Sequence, residues 1–131
     1  MKKKICIVVS KYNYSITKAL LNKSKKFLIS SGIKNIKVVE VSGSFEIPVA
    51  ISKLSKKYDG FIAIGCIIKG ETNNFDIISN IITDAIMKLS INLKKPIGNA
   101  VLTCYNFKQA QKRIVKGAEA ATAVISVLKN V

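Results

Sequence analysis

Residues 5–9, 36–41, 60–68 and 97–103 form four short segments rich in β-branched residues, most of them running with almost no polar interruption. A strand that reads this way needs apolar cover on both faces, which is the condition of a parallel sheet held between helices. Between these segments the apolar residues change to helical spacing. Ile16, Ala19, Leu20, Phe27 and Leu28 mark a first helix, and Ile47, Ala50, Ile51 and Leu54 a second. Ile77, Ile78, Ile81, Ile82, Ala85, Ile86 and Leu89 mark the apolar face of a third. The tail from Phe107 supplies one or two more, with Ala120, Ala121, Val124, Ile125 and Leu128 as a stripe. The order βαβαβαβα, without linker, repeat or low-complexity stretch, predicts an α/β fold. Its form is a three-layer αβα sandwich around a four-stranded parallel sheet, with right-handed crossovers, in one domain over residues 1–131. Ligands bind such sheets at the carboxyl ends of the strands, near the point where strand order reverses. Functional residues are therefore expected in 10–13, 42–46, 69–74 and 103–106.

Several function classes are excluded by composition. With 49% hydrophobic residues and only two prolines, the chain is too apolar for a disordered tail. Its longest apolar run, 61–68, is far short of the roughly twenty residues that cross a bilayer, so no membrane partner is expected. The basic start Met1-Lys2-Lys3-Lys4 is followed by too short an apolar stretch for a signal peptide, which predicts a cytoplasmic protein. Cys6, Cys66 and Cys104 are odd in number and far apart, so they form neither a disulfide framework nor a metal or redox motif. The absence of histidine removes imidazole metal ligands, Ser-His and Cys-His nucleophile pairs and any histidine acid or base.

The net charge of +15 raises the question of nucleic acid. Of the 22 basic residues only Arg113 is arginine, and the lysines are spread in ones, twos and threes along the chain. Together with the abundance of isoleucine and asparagine, this reads as coding bias and a solvated surface, and no nucleic-acid partner is expected.

The loops are more specific. Ser10-Lys11-Tyr12-Asn13 has neither the glycines of a dinucleotide turn nor clustered aspartates. Tyr12 there either stacks on a planar ring or caps the core. In Ser42-Gly43-Ser44-Phe45-Glu46-Ile47-Pro48 a glycine turn meets a helix start, and Glu46 either accepts polyol hydroxyls or offsets the helix dipole. In Lys69-Gly70-Glu71-Thr72-Asn73-Asn74 a helix start near Asn74 either offers free amides to an anion, aided by Thr72 and Lys69, or is capped by Thr72, Asn73 or Asn74. Arg113, the one arginine in a lysine-rich chain, is suited to a bidentate grip on phosphate.

Taken in order, these motifs resemble the lumazine synthase family of riboflavin biosynthesis. Lys11-Tyr12-Asn13 is similar to the family's Arg-Phe-Asn, and residues 42–48 to Pro-Gly-Ala-Phe-Glu-Ile-Pro. Residues 65–76 are similar to Gly-Cys-Val-Ile-Arg-Gly-x-Thr-x-His-Phe-Asp, and Val101-Leu102-Thr103, Gln109-Ala110 and residues 116–121 follow in register. The resemblance implies a flavodoxin-like sandwich. It also implies condensation of 5-amino-6-(D-ribitylamino)uracil with 3,4-dihydroxy-2-butanone 4-phosphate to 6,7-dimethyl-8-ribityllumazine, without metal or cofactor. It places Tyr12 on the pyrimidine ring, Ser44, Phe45 and Glu46 on the ribityl side and Cys66, Ile67 and Ile68 at the ring edge. Glu71 and Thr72 fall at the butanone phosphate. It further implies a homo-oligomer, a pentamer, with sites between subunits into which Asn99 and Arg113 reach from a neighbour, Arg113 on phosphate.

Three departures stand out. The family's acid–base histidine falls on Asn74, which orients by hydrogen bonding but does not exchange protons near neutral pH. The segment from Arg113 to Lys116 is shorter than the family's glycine- and lysine-rich loop, leaving a second phosphate-contacting lysine without a counterpart. No extension precedes the first strand, so the larger shells some members build are not expected. The alternative to an enzyme is a catalytically impaired homologue kept as an oligomeric ligand-binding or scaffold protein.

Overall fold

The structure is a computed structural model that describes residues 2–131. Met1, at the head of the basic start and of the expected domain, lies outside the described residues. Four strands, β1 (Lys4–Ser10), β2 (Asn35–Val41), β3 (Gly60–Ile68) and β4 (Ile97–Cys104), form one sheet in the order β2-β1-β3-β4. All three pairings are parallel, in the registers Lys4 to Asn35, Ile5 to Gly60 and Phe61 to Ile97. The helices are α1 (Tyr14–Ser30), α2 (Ile47–Leu54), α3 (Phe75–Leu93), α4 (Phe107–Gln111) and α5 (Lys116–Asn130). This is the αβα sandwich the alternation of segments predicts.

Side chains alternate across the pleat, so each strand feeds two cores. Ile5, Ile7, Val9, Ile62, Ile64 and Cys66 pack on one face with Leu20 and Leu28 of α1 and Ala121 and Val124 of α5. Cys6, Val8, Phe61, Ala63 and Ile67 pack on the other with Ile47 and Ile51 of α2 and Ile82 and Ile86 of α3. β3 is buried along its whole length, as its unbroken apolar run requires. β2 differs: it pairs with β1 alone and leaves Lys37 and Glu40 exposed, because an edge strand receives cover on part of its surface.

Helices α1 and α5 pack closely because residue 117 is glycine. A Cβ there would overlap the backbone oxygen of Leu20, and the Ser24 hydroxyl instead donates to the Gly117 carbonyl at 2.6 Å. The apolar face expected on the third helix is wider than the groove that receives it. Ile82 and Ile86 are buried, but Ile77 and Ile81 stay 60% and 50% exposed, joined on the outer surface by Met87 and Ile91. A helix on a sheet buries roughly one stripe, and sequence spacing alone does not say which edge of a broad stripe is left out. Among the described residues no helix is long and apolar enough to cross a membrane.

Candidate functional site

In this strand order the chain leaves β1 for β2 on one side and for β3 on the other, so the switch point lies between the carboxyl ends of β1 and β3. Asn13 spans it. Its backbone is left-handed (φ 56°, ψ 48°), a conformation that asparagine adopts more readily than most residues. Its Nδ2 donates to the Cys66 carbonyl at 3.0 Å and to Glu71 Oε1 at 2.9 Å. One side chain thus ties the loop after β1 to the end of β3 and holds one oxygen of the Glu71 carboxylate. The same loop is tied to the next: the Lys11 amide donates to the Val41 carbonyl at 2.8 Å and the Tyr12 amide to that of Ser42 at 3.2 Å.

The loop after β2 settles onto β3 because residue 65 has no side chain. A Cβ on Gly65 would overlap Ser44 Oγ and stand 3.2 Å from Ser44 Cβ and 3.4 Å from Val101 Cγ1. Ser44–Glu46 form a single 3₁₀ turn that leads into α2, with Pro48 in the first turn of that helix. Glu46 curls back, its Oε1 accepting the Ser42 hydroxyl at 3.0 Å.

These loops enclose a hollow of about 210 Å³ lined by Tyr12, Gly43, Ser44, Phe45, Ile67, Ile68, Glu71, Thr72 and Ile78. Its floor is apolar and its rim carries Glu71 and Thr72. Tyr12 and Phe45 are 53% and 61% exposed, so two aromatic faces stand free beside it, an arrangement suited to a flat ring. A larger hollow of about 440 Å³, between Ile91, Pro96 and Val127, gathers none of the expected site residues, and the smaller one is the chemical candidate.

Not every expected residue meets here. Cys66 is 1% exposed with its sulfur in the α1/α5 core, and it reaches the switch point through its carbonyl. Burial, with smaller contributions from Cys104 and Glu71, pushes its thiol up to about 12. Glu46 borders the hollow without lining it. Asn74 precedes α3 and lines an adjoining depression with Lys69, Thr72 and Phe75. Its side chain makes no capping bond; the cap-like contact is from its own amide to Thr72 Oγ1 at 3.3 Å. Above it, Lys69 Nζ lies 5.3 Å from the centroid of the Tyr105 ring, which is 6.2 Å from that of Phe75.

Asn99 and Arg113 lie apart from the hollow. Asn99 sits within β4, its Oδ1 accepting the Val101 amide at 2.9 Å. Arg113 lines a second hollow of about 330 Å³ beside β4 with Val101, Thr103, Lys112 and Lys116, and its Nη1 points to Cys104 Sγ at 3.9 Å. The expected site residues of one chain are therefore divided, most of them around the first hollow and Arg113 in the second. Motif reading overlooked the contact made by Ile78, the bridge made by Asn13 and the clearance supplied by Gly65. The asparagine and the glycine stand within the quoted motifs, but their work is visible only when β1, β3 and the loop at 42–46 are side by side.

The profile of the family described as 6,7-dimethyl-8-ribityllumazine synthase matches residues 2–131. The chain belongs to this family. A 6,7-dimethyl-8-ribityllumazine synthase of Polaromonas sp. is 41% identical over 128 residues, 94% of this chain and 83% of its own length. Proteins of the same name from Corynebacterium kroppenstedtii and Polynucleobacter necessarius are 36% and 40% identical over 129 residues each. These alignments cover 93% and 95% of this chain and 80% and 75% of the relatives. The lumazine synthase resemblance carried by the motifs therefore extends over nearly the whole described chain.

Proposed function

We propose that the chain catalyses lumazine synthesis in riboflavin biosynthesis, condensing 5-amino-6-(D-ribitylamino)uracil with 3,4-dihydroxy-2-butanone 4-phosphate to 6,7-dimethyl-8-ribityllumazine. The observation that carries this reading is the hollow at the β1/β3 switch point, where Tyr12, Ser44, Phe45, Ile67, Ile68, Glu71 and Thr72 converge. Tyr12 stacks on the pyrimidine; Ser44, Phe45 and Glu46 hold the ribityl chain, whose hydroxyls suit a carboxylate acceptor. Ile67, Ile68 and the Cys66 backbone border the ring, and Glu71 and Thr72 lie toward the butanone phosphate. The second hollow, with Asn99 nearby and Arg113 in its wall, completes the site of a neighbouring copy in a homo-oligomer, a pentamer, Arg113 taking the phosphate. The distance between the two partial sites within one chain and the exposed Ile77, Ile81, Met87 and Ile91 on α3 support such an assembly. The reaction needs no metal or cofactor, and three unpaired thiols suit the reducing cytoplasm.

The chemistry joins an amine to a ketone with loss of water and expels phosphate, so holding two partners together is most of the task. Orientation is worth about 7–11 kcal/mol, against about 10²–10⁴-fold for a general acid or base. With asparagine at position 74 the enzyme works by positioning. Proton movement falls to water, to the substrate phosphate, to Lys69 and to Glu71, one oxygen of which Asn13 holds.

The test is formation of the lumazine, followed by absorbance and fluorescence, from the two purified substrates. The parent protein is expected to turn over and Arg113→Ala to lose it. A parent with no rate above the mixed substrates in buffer overturns the reading in favour of a ligand-binding or scaffold protein.

A further inference from the structure

Scattered along the chain, the lysines look like coding bias; folded, eight of the 21 gather at one end of the sheet. Residues 2–4, 31–34, 55–59 and 94–96 lead into the four strands, and the registers Lys4 to Asn35, Ile5 to Gly60 and Phe61 to Ile97 align them along one edge. They contain eight lysines, Lys2, Lys3, Lys4, Lys34, Lys56, Lys57, Lys94 and Lys95, against a single acid, Asp59. At the opposite end, the loops at 11–13, 42–46 and 69–74 carry Lys11 and Lys69 against Glu46 and Glu71, and the connection from β4 to α5 adds Lys108, Lys112 and Arg113, still fewer than the eight at the amino end. A coding bias acts on codons and does not distinguish the two ends of a sheet.

The charge at this end is also free. Asp59 Oδ2 accepts the Lys4 amide at 2.8 Å, and both ion pairs among the described residues, Lys88 to Asp84 and Lys116 to Glu119, lie elsewhere. Six of the eight lysines are exposed, and Lys2, Lys3, Lys4 and Lys34 line one depression of about 410 Å³. Lys95 Nζ donates to the Ser55 carbonyl at 2.6 Å, joining two of the loops.

We propose that this amino-end face binds the phosphate backbone of a nucleic-acid duplex, independently of sequence and at the end of the molecule opposite the lumazine-forming hollow. With adjacent strands about 4.8 Å apart, the four loops span about 15 Å. That is the axial rise of about four base pairs of a duplex. The face lacks the arginine forks that read base edges and the exposed aromatic rings on which single strands stack. Its exposed apolar side chains Ile91, Val127 and Val131 gather around the hollow that Lys94, Lys95 and Pro96 also line, whereas the depression lined by Lys2, Lys3, Lys4 and Lys34 has no apolar side chain in its wall. What remains is a row of point charges, which is the chemistry of non-specific backbone contact.

The test is fluorescence anisotropy of a labelled DNA duplex of about 20 base pairs with the parent, titrated over increasing salt. Removing four charges by substituting Lys2, Lys34, Lys56 and Lys57 with glutamine is expected to weaken binding at least about tenfold and to lower the salt slope by about 3.6. Replacing the same four with arginine retains binding. A control with glutamine at Lys18, Lys23, Lys108 and Lys112 has the same net charge and is expected to bind like the parent. Equal losses in both glutamine variants would mean that total charge alone attracts the duplex, and would overturn the proposal. So would binding to phosphatidylserine vesicles, but not to the duplex, that depends on the same four lysines. Thermal melts matching the parent exclude unfolding as the cause.

Discussion

Substituting Gly65 by alanine puts a methyl group where the loop after β2 rests on β3. The new Cβ would overlap Ser44 Oγ and lie 3.2 Å from Ser44 Cβ, inside the 3.5–4.0 Å at which carbon atoms pack. The hydroxyl escapes by rotating, but the Cβ separation is relieved only if the backbone of Ser44 retreats by about 0.5 Å. Phe45 and Glu46 share the same turn and move with it. The fold loses about 1–3 kcal/mol, the usual cost of overpacking. Catalysis suffers more, because a 1 Å misplacement costs about 10²-fold where orientation supplies the rate, and a retreat of half that predicts a loss of about tenfold in kcat/KM. Lumazine formation and urea unfolding of Gly65→Ala, Ser44→Gly and the double variant test both parts. Removing the Ser44 side chain relieves the overlap, so the double variant is expected to be at least about 1 kcal/mol more stable than the single changes sum to. Additive stabilities, or a Gly65→Ala enzyme within about threefold of the parent, would refute the steric reasoning.

At Gly117 the same substitution meets the Leu20 carbonyl, a backbone atom that cannot rotate away, and is expected to cost about 2–3 kcal/mol in urea unfolding; a loss below about 0.5 kcal/mol would mean that α1 and α5 slide apart freely. Burial raises the thiols of Cys66 to about 12 and Cys6 to about 11 from an ordinary 9.0. The unfolded chain therefore gives up these protons first, so their contribution is fully present below pH 9 and is lost as pH climbs toward the folded values. Unfolding midpoints should fall over that range, less steeply in Cys66→Ala, and a parallel fall in both proteins would contradict the assignment to Cys66. Asn74→His should raise the rate of lumazine formation about tenfold or more, and an unchanged rate would mean that the pocket has reorganised around asparagine.

The sandwich was legible because a parallel sheet between helices needs strands that are apolar throughout, and β3 is such a run from Phe61 to Ile68. The loops that bear the site were legible for a related reason: crossover topology puts the carboxyl ends of parallel strands together whatever residues they carry. Tyr12, Phe45, Glu71 and Thr72 could thus be named before the hollow was seen.

Orientation and distance were not legible. Strand alternation turned the Cys66 sulfur into the core while its carbonyl faced the switch point, and broad apolar spacing on α3 did not reveal that Ile77 and Ile81 stay outside. How far Asn99 and Arg113 stand from the other site residues of the same chain was visible only in the fold, with Arg113 beyond α4 in the wall of a second hollow and Asn99 within β4. The basic face was the least visible of all, because its lysines belong to four loops separated by whole βα units. Sequence by itself determined which segments become strands and helices, since those choices rest on local apolar period. Tertiary structure alone decided which side chains share a hollow, a clash or a charged face, because strand register and pleat set those distances and no local pattern encodes them.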